Sequence, residues 1–520
     1  MARYTAAHLL SVIVSPLTAA PTCLAAFSSA LHHCSSTSSP SCANKQSSSK
    51  SALHNNVLPF CAEADIQQIN LIDSSSSNTI NELGYDISSA RGWMEYIEQM
   101  EGPKFGVGAY TVLRCDAIFH IPSSINKVDC EWKIWGEKFH MNRLSLSFQT
   151  LTNNLFGADS LGSFFNNGGS SSSSGITSIS GMGSSVHTDS MLTQSIEETM
   201  HVINKLLEQA TRSIYAEIVA APHNRYNLLQ QNDDESWTQT LMLTILWTPS
   251  RQTGGGGGAI KPLVRGHAAF ANAAQPTTTA NNMDGSILPT LITACVAIPK
   301  QLTPESLSVL PRRHGMNLNR QRQVGASASA KVSSWCRIRR PLEDPNRYKP
   351  HDGVVGEVIL VRLPDTERGT NIMSYSNENF IHTLELLEGL ISNLFVVYRD
   401  GTVRTAPVGL VLPGYARHLI IQELNERGLK VDSSNPPTMQ DMRDGLWSEV
   451  FVTSAIRLVV PVERIIMPGI GANNDNNPHV LWEAPNDEYE PYRATKMIQS
   501  AMYQRGWSEA TVKNVVIIND

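Results

Sequence analysis

The run Leu387-Glu388-Gly389-Leu390-Ile391-Ser392-Asn393-Leu394-Phe395-Val396-Val397 leaves the chain few ways to fold. Asn393 to Tyr398 reads as an apolar strand, and the Arg399-Asp400-Gly401 turn leads from it into a second strand at Thr402–Ala406. Other strands are expected at Val355 to Arg362, Leu429–Val431, Trp447 to Thr453 and Leu458–Val462. Leu412-Pro413-Gly414 enters a helix from about Tyr415 to Glu426, which buries Leu419, Ile420 and Leu424 and stops at Gly428. Together these elements predict a mixed sheet.

Upstream, a short helical stretch around Gly92-Trp93-Met94 ends at Gly102-Pro103. A strand follows from Gly106 to Cys115, with a hairpin partner at Trp132 to Trp135 and a helix opening at Phe139. A helix from Met191 to Ala210 buries Ile203, Leu206 and Leu207, and strands are expected at Ile214–Ala220, Thr240–Trp247 and Leu291–Ala297. That order predicts an alternating α/β domain. Three tracts at about 156–190, 252–258 and 272–282 hold too little apolar surface to repay ordering, so they read as solvated insertions. The glycines Gly254 to Gly258 lack the Gly-Lys-Ser/Thr that a phosphate loop requires. A helix from Tyr492 to Tyr503 is expected in the tail.

The first sixty-two residues contain no Asp or Glu and are rich in Ser and Ala, as in an organelle-targeting leader for plastid or mitochondrion. Residues 1–62 are thus expected to be a cleaved leader and 63–91 a linker. Residues 92–330 then form an N-terminal α/β domain and 331–520 a C-terminal domain. A net charge of −6 gives no footprint for nucleic acid, and no apolar run approaches the ~20 residues that cross a bilayer. The eight cysteines include no Cys-x-x-Cys pair, so neither a metal site nor a disulfide scaffold is expected.

Four motifs then fall in register: Leu387 to Val397; Thr405-Ala406-Pro407 with Val411-Leu412-Pro413-Gly414; Phe451-Val452-Thr453-Ser454; and Pro461-Val462. In order and spacing they resemble the class IV aminotransferases, the fold-type IV family of branched-chain and D-amino-acid aminotransferases and aminodeoxychorismate lyase. The resemblance covers Gly106 to Leu151 and Lys331 to Val462. It implies a two-domain fold, smaller at the N-terminus and larger at the C-terminus, homodimers, pyridoxal 5'-phosphate as cofactor, and an amino acid and a keto acid as substrates.

The resemblance also assigns roles. Pyridoxal phosphate is an electron sink, strongest when its ring nitrogen is protonated; a buried carboxylate favours that form, and Glu388 matches the family's Glu there. Arg143 matches the phosphate-binding Arg, with Gly414, Tyr415 and Ala416 at a helix N-terminus suited to an anion. Ser454 lies where a further loop reaches the phosphate. Relatives commonly have Thr where this chain has Ala416 and Ala455, so hydroxyl contacts are missing there. Lys331, in Lys331-Val332-Ser333-Ser334-Trp335, resembles the Lys-x-Ser-x-Trp run of plant and algal D-amino-acid-aminotransferase-like proteins and is the expected Schiff-base lysine. Lys349, too close to the next strand, and no internal lysine at all are the alternatives. Tyr110 matches an aromatic position of the substrate site. Apart from the resemblance, Arg337, Arg339 and Arg340 offer cations for a substrate carboxylate, or form the solvated face that a basic run more often makes. Amino-group transfer is the expected reaction. A lyase acting on aminodeoxychorismate and a cofactor- or partner-binding homologue without turnover remain alternatives.

Overall fold

The computed structural model describes residues 60–63, 85–120, 127–156, 186–220, 236–251, 260–271, 292–297, 328–343, 355–362, 384–467, 479–485 and 492–518. From the N-terminus the elements run β1 (Phe60–Glu63), α1 (Ala90–Phe105), β2 (Ala109–His120), β3 (Lys127–Ile134), α2 (Glu137–Phe156), α3 (Val186–Ala220), β4 (Ser236–Arg251), β5 (Ile260–Phe270) and β6 (Ile292–Ala297). They continue as α4 (Ser334–Arg339), β7 (Val355–Arg362), β8 (Glu385–Gly389), β9 (Asn393–Tyr398), β10 (Val403–Arg404), α5 (Tyr415–Glu426), β11 (Val431–Asp432) and α6 (Met439–Arg443). The last are β12 (Trp447–Ser454), β13 (Leu458–Met467), β14 (His479–Glu483), α7 (Arg493–Glu509) and β15 (Thr511–Ile518). The Lys349 alternative, the insertions at 252–258 and 272–282, and all of the leader before Phe60 lie outside the described residues.

The first sheet has six strands in the order β1-β5-β4-β2-β3-β15. Every pairing in it is antiparallel, which corrects the expected alternating α/β arrangement. β2 joins β3, and β4 joins β5, as hairpins that need no crossover helix. Leu113, Cys115, Ala117 and Phe119 alternate along one face of β2, while Tyr110, Arg114 and Asp116 are buried on the other, so the strand is covered on both sides. α3 packs against β5 and buries Val202, Ile203, Leu206, Leu207, Ala210 and Ile214. Ile214 follows Ala210 by four residues and keeps to the same face. The strand expected at Ile214–Ala220 is therefore the last turns of this helix.

The second sheet has nine strands in the order β11-β10-β9-β12-β13-β6-β7-β8, with β14 beside β13. Its β8 also pairs with β9, so six of its strands close a ring. The pairing is mixed, as expected: β6 runs parallel to both β13 and β7, whose other neighbours meet them antiparallel. Phe395 and Phe451 face each other across β9 and β12 and stack at 5.1 Å, beneath Leu419 and Ile420 of α5 and Met502 of α7. Each such aromatic contributes roughly 1.5–3 kcal/mol by leaving water.

The sheets cut across the division expected at 330/331. β6 precedes it yet lies inside the second sheet, and β15 follows it yet edges the first. β1 likewise begins before the expected end of the leader and pairs with β5. Sheet membership follows hydrogen-bond partners far apart in sequence, which local composition does not report. Among the described residues no helix is long and apolar enough to cross a membrane.

Candidate active site

Lys331 is pinned by its backbone. Tyr110 N–H donates to Lys331 O at 2.9 Å, Lys331 N–H donates to Ser147 Oγ at 3.0 Å, and Ser333 N–H donates to Gly108 O at 2.8 Å. This short antiparallel pairing with β2 sets the lysine Nζ 5.0 Å from the centre of the Tyr110 ring, within range of a cation–π attraction. α4 follows, and Trp335 Nε1 donates to Leu390 O at 3.0 Å. The lysine is thereby strung between the first sheet and the turn that follows Glu388.

Glu388 is buried at the end of β8. Its Oε2 accepts the backbone N–H of Leu412 at 2.9 Å and faces Asn393 Nδ2 at 3.5 Å. The same amide of Asn393 donates to Leu412 O at 2.9 Å, so one side chain ties the carboxylate to the segment entering α5. Two glycines permit this closeness. A Cβ on Gly414 would stand 2.1 Å from Asn393 Oδ1, and one on Gly389 would stand 2.2 Å from Ser392 Oγ, closer than any side-chain carbon can approach.

Arg143 comes from α2 and is buried. Nη1 donates to Pro413 O at 3.1 Å; Nη2 donates to Thr111 Oγ1 at 3.0 Å and lies 3.1 Å from His140 Nδ1. Burial pulls the guanidinium down to about 10, which leaves it charged near neutrality. Burial, followed by the charges of Arg143 and Lys331, holds His140 well below the usual histidine range. A neutral His140 accepting at Nδ1 serves as a fixed support for Arg143.

The remaining expected residues divide by role. Tyr415 packs its ring against Phe139 and His140 at 5.5 and 5.3 Å, so its contribution at the start of α5 is its backbone. Ala416 is buried beside it. Ser454 Oγ accepts the N–H of Arg457 at 3.1 Å, and the loop it belongs to is held from β2 by Arg114, whose Nη1 donates to Ile456 O at 2.8 Å. All eight expected site residues line one cavity of about 450 Å³. Of the basic run, Arg339 joins that wall, whereas Arg337 and Arg340 stay exposed and pair with Glu98 and Glu95.

Sequence reasoning missed several wall residues. Thr453 is buried, and its hydroxyl has no hydrogen-bond partner among the described residues. Asn393, a polar residue opening an apolar strand, carried the signal that would have found it. Behind the wall, buried Glu357 pairs with Arg457 at 3.0 Å and accepts Ser392 Oγ at 2.6 Å, holding two residues that do line it. No motif separated it from an ordinary strand position.

The residues present fit pyridoxal phosphate. Arg143 Nε is buried without a hydrogen-bond partner among the described residues, next to a helix whose N-cap, Gly414, brings no side-chain cap. Such a terminus directs backbone N–H groups and positive dipole at an anion. The orphaned Thr453 hydroxyl adds a donor. The amine of Lys331 and the carboxylate of Glu388 share the same cavity.

Residues 373–465 match the family described as amino-transferase class IV, a family dependent on pyridoxal phosphate. Similar solved structures include a T.th. branched-chain amino acid aminotransferase complexed with N-(5'-phosphopyridoxyl)-L-glutamate, at 11% identity over 86% of this chain and 94% of that one, with a TM-score of 0.38. The branched-chain aminotransferase of Thermoproteus uzoniensis with norvaline is 11% identical over 86% and 95%, at 0.39. The Escherichia coli branched-chain amino acid aminotransferase is 14% identical over 87% and 96%, at 0.36. No curated protein matches the chain.

Proposed function

We propose that this chain, whose residues 373–465 match the amino-transferase class IV family, is a class IV aminotransferase that moves an amino group between an amino acid and a keto acid, with Lys331 as the catalytic amine. The observation that carries the proposal is the single cavity shared by Lys331, Glu388, Arg143 and Gly414. Bound pyridoxal phosphate supplies the electron sink on which transamination depends.

The chain's own residues do the rest. Arg143 and the start of α5 hold the phosphate, and the ties of Arg143 to Pro413 and Thr111 fix its direction. Glu388 supplies a negative charge that favours a protonated ring nitrogen. Its bond from Leu412 N–H and the nearby Asn393 amide keep it from turning away. Lys331 Nζ takes the proton from the amino acid's α-carbon and, in the second half-reaction, a proton is delivered to the α-carbon contributed by the keto acid. Tyr110 forms the wall against which the amine moves.

Two wider proposals rest on the family resemblance and on the acid-free leader: a homodimer as working unit, and delivery to plastid or mitochondrion. Light scattering tests the first, and a fluorescent fusion of residues 1–62 the second. The central test is direct. Protein mixed with pyridoxal phosphate should show a visible absorbance band that borohydride fixes as a modified Lys331 in a peptide map. A Lys331→Ala protein that keeps the band would remove the lysine from its role.

A further inference from the structure

Building on the aminotransferase proposal, we infer that Arg339 is the receptor for a carboxylate of the substrate, set across Tyr110 from the Lys331 amine. The basic run from Arg337 to Arg340 is sorted by the structure. Arg337 and Arg340 are 66% and 67% exposed and each faces its own glutamate, Glu98 and Glu95. Arg339 is only 14% exposed and lies in the cavity wall.

Its internal partner is incomplete. Nε stands 2.8 Å from Glu343 Oε1, yet that nitrogen is buried without an aligned hydrogen bond among the described residues. Glu343 also receives Arg91, another residue of the cavity wall, so one carboxylate serves two guanidinium groups. The trio therefore carries one surplus positive charge. The other arginines of the wall are committed: Arg457 to Glu357 at 3.0 Å, and Arg143 to Pro413 O and Thr111.

Position supports the same assignment. Cys336 lies three residues before Arg339 on α4, and its thiol meets the Tyr110 hydroxyl at 3.7 Å. Residues three apart share a helix face. The Lys331 amine sits over the ring of that same tyrosine. Tyr110 thus has the amine at its ring and the guanidinium's helix at its hydroxyl. An amino acid engaged by Lys331 would find a charged two-pronged donor in the wall of the same cavity, and a guanidinium pairs with a carboxylate through two parallel hydrogen bonds.

The test uses hexanoate as an unreactive carboxylate and hexanamide as its neutral counterpart, titrated by calorimetry into cofactor-loaded full-length protein. Hexanoate should bind, and Arg339→Gln should weaken it about ten- to a hundredfold, the worth of a charge-assisted hydrogen-bonded pair. Hexanamide binding should be the same in both proteins. Glu343→Gln removes the competing internal carboxylate and should tighten hexanoate several-fold. Equal hexanoate affinity in wild type and Arg339→Gln overturns the assignment; if that variant fails to fold, equal affinity in Glu343→Gln does so. The visible band recorded in each sample separates the two proposals, since its absence from wild type overturns the aminotransferase proposal itself.

Discussion

Arg143 donates through Nη1 to the carbonyl of Pro413 at 3.1 Å, the residue before the Gly414 cap of α5. A helix packed on the first sheet thereby holds the entrance of a helix packed on the second. The proposed phosphate site is assembled from both, and its parts fix one another's positions before any ligand arrives.

Replacing Arg143 by Lys should expose that dependence. A lysine brings one charge but cannot reach Pro413 O, Thr111 and His140 together, as the planar fork does. Cofactor affinity should fall about ten- to a hundredfold, in line with the loss of one or two charge-assisted hydrogen bonds. Titration of the apo protein by absorbance measures it. Unchanged affinity would show that the anion site lies elsewhere.

Glu388→Gln should separate binding from rate. The amide oxygen can still accept the Leu412 N–H, so the fold and the cofactor affinity should survive. The negative charge is gone, and the rate of amino-group transfer should drop about a hundredfold or more, the usual scale for losing one electrostatic contact at a reacting centre. Equal rates in the two proteins would count against Glu388.

At Gly414 the constraint is steric. Alanine would place a carbon 2.1 Å from Asn393 Oδ1, and that side chain is tethered to Leu412 O and faces Glu388. Gly414→Ala should cost about 1–3 kcal/mol of stability, the usual range for overpacking, and should weaken cofactor binding as well. Denaturant midpoints with and without cofactor check both effects.

Acid should destabilise the protein through two buried histidines. His140 is held well below the ordinary range, chiefly by burial, and burial likewise pushes His267 down to about 4. Unfolding raises both to about 6.5, where the unfolded chain takes up protons that the folded one refuses. Stability is therefore complete above about 6.5 and drains as pH falls toward the folded values. A displacement from about 6.5 to about 4 at His267 corresponds to about 3 kcal/mol at its lower end. Denaturant midpoints at pH 7 and pH 5 should differ, and His267→Phe should shrink the difference. A flat wild-type profile over that range would contradict the burial argument.

Much of this was legible from local sequence. α5 runs from Tyr415 to Glu426 as expected, because its entry through Leu412-Pro413-Gly414, its apolar spacing and its stop are all written within a short stretch of chain. The eight site residues come together because they were taken from motifs whose spacing already encodes a fold. What escaped was decided at a distance. β5 takes its second neighbour, β1, from about two hundred residues upstream, and β15 pairs with β3 from the far end of the described chain. Ile214 was misassigned because β-branched residues suit both states and only the period relative to Ala210 decides between them. Thr453 and Arg339 look like any strand threonine and any surface arginine until the fold sets them in the cavity wall.

The strand that ends the described chain has a consequence for synthesis. β15 completes the first sheet by pairing along the whole of β3, Thr511 opposite Ile134 through Ile518 opposite Lys127. On the ribosome, β3 emerges some four hundred residues before the strand that covers it. Until then the nascent sheet shows an open edge, the kind of surface that recruits unrelated strands. That edge closes only once β15 has been made, so a chain stopped before Thr511 would leave β3 unpaired along its outer side.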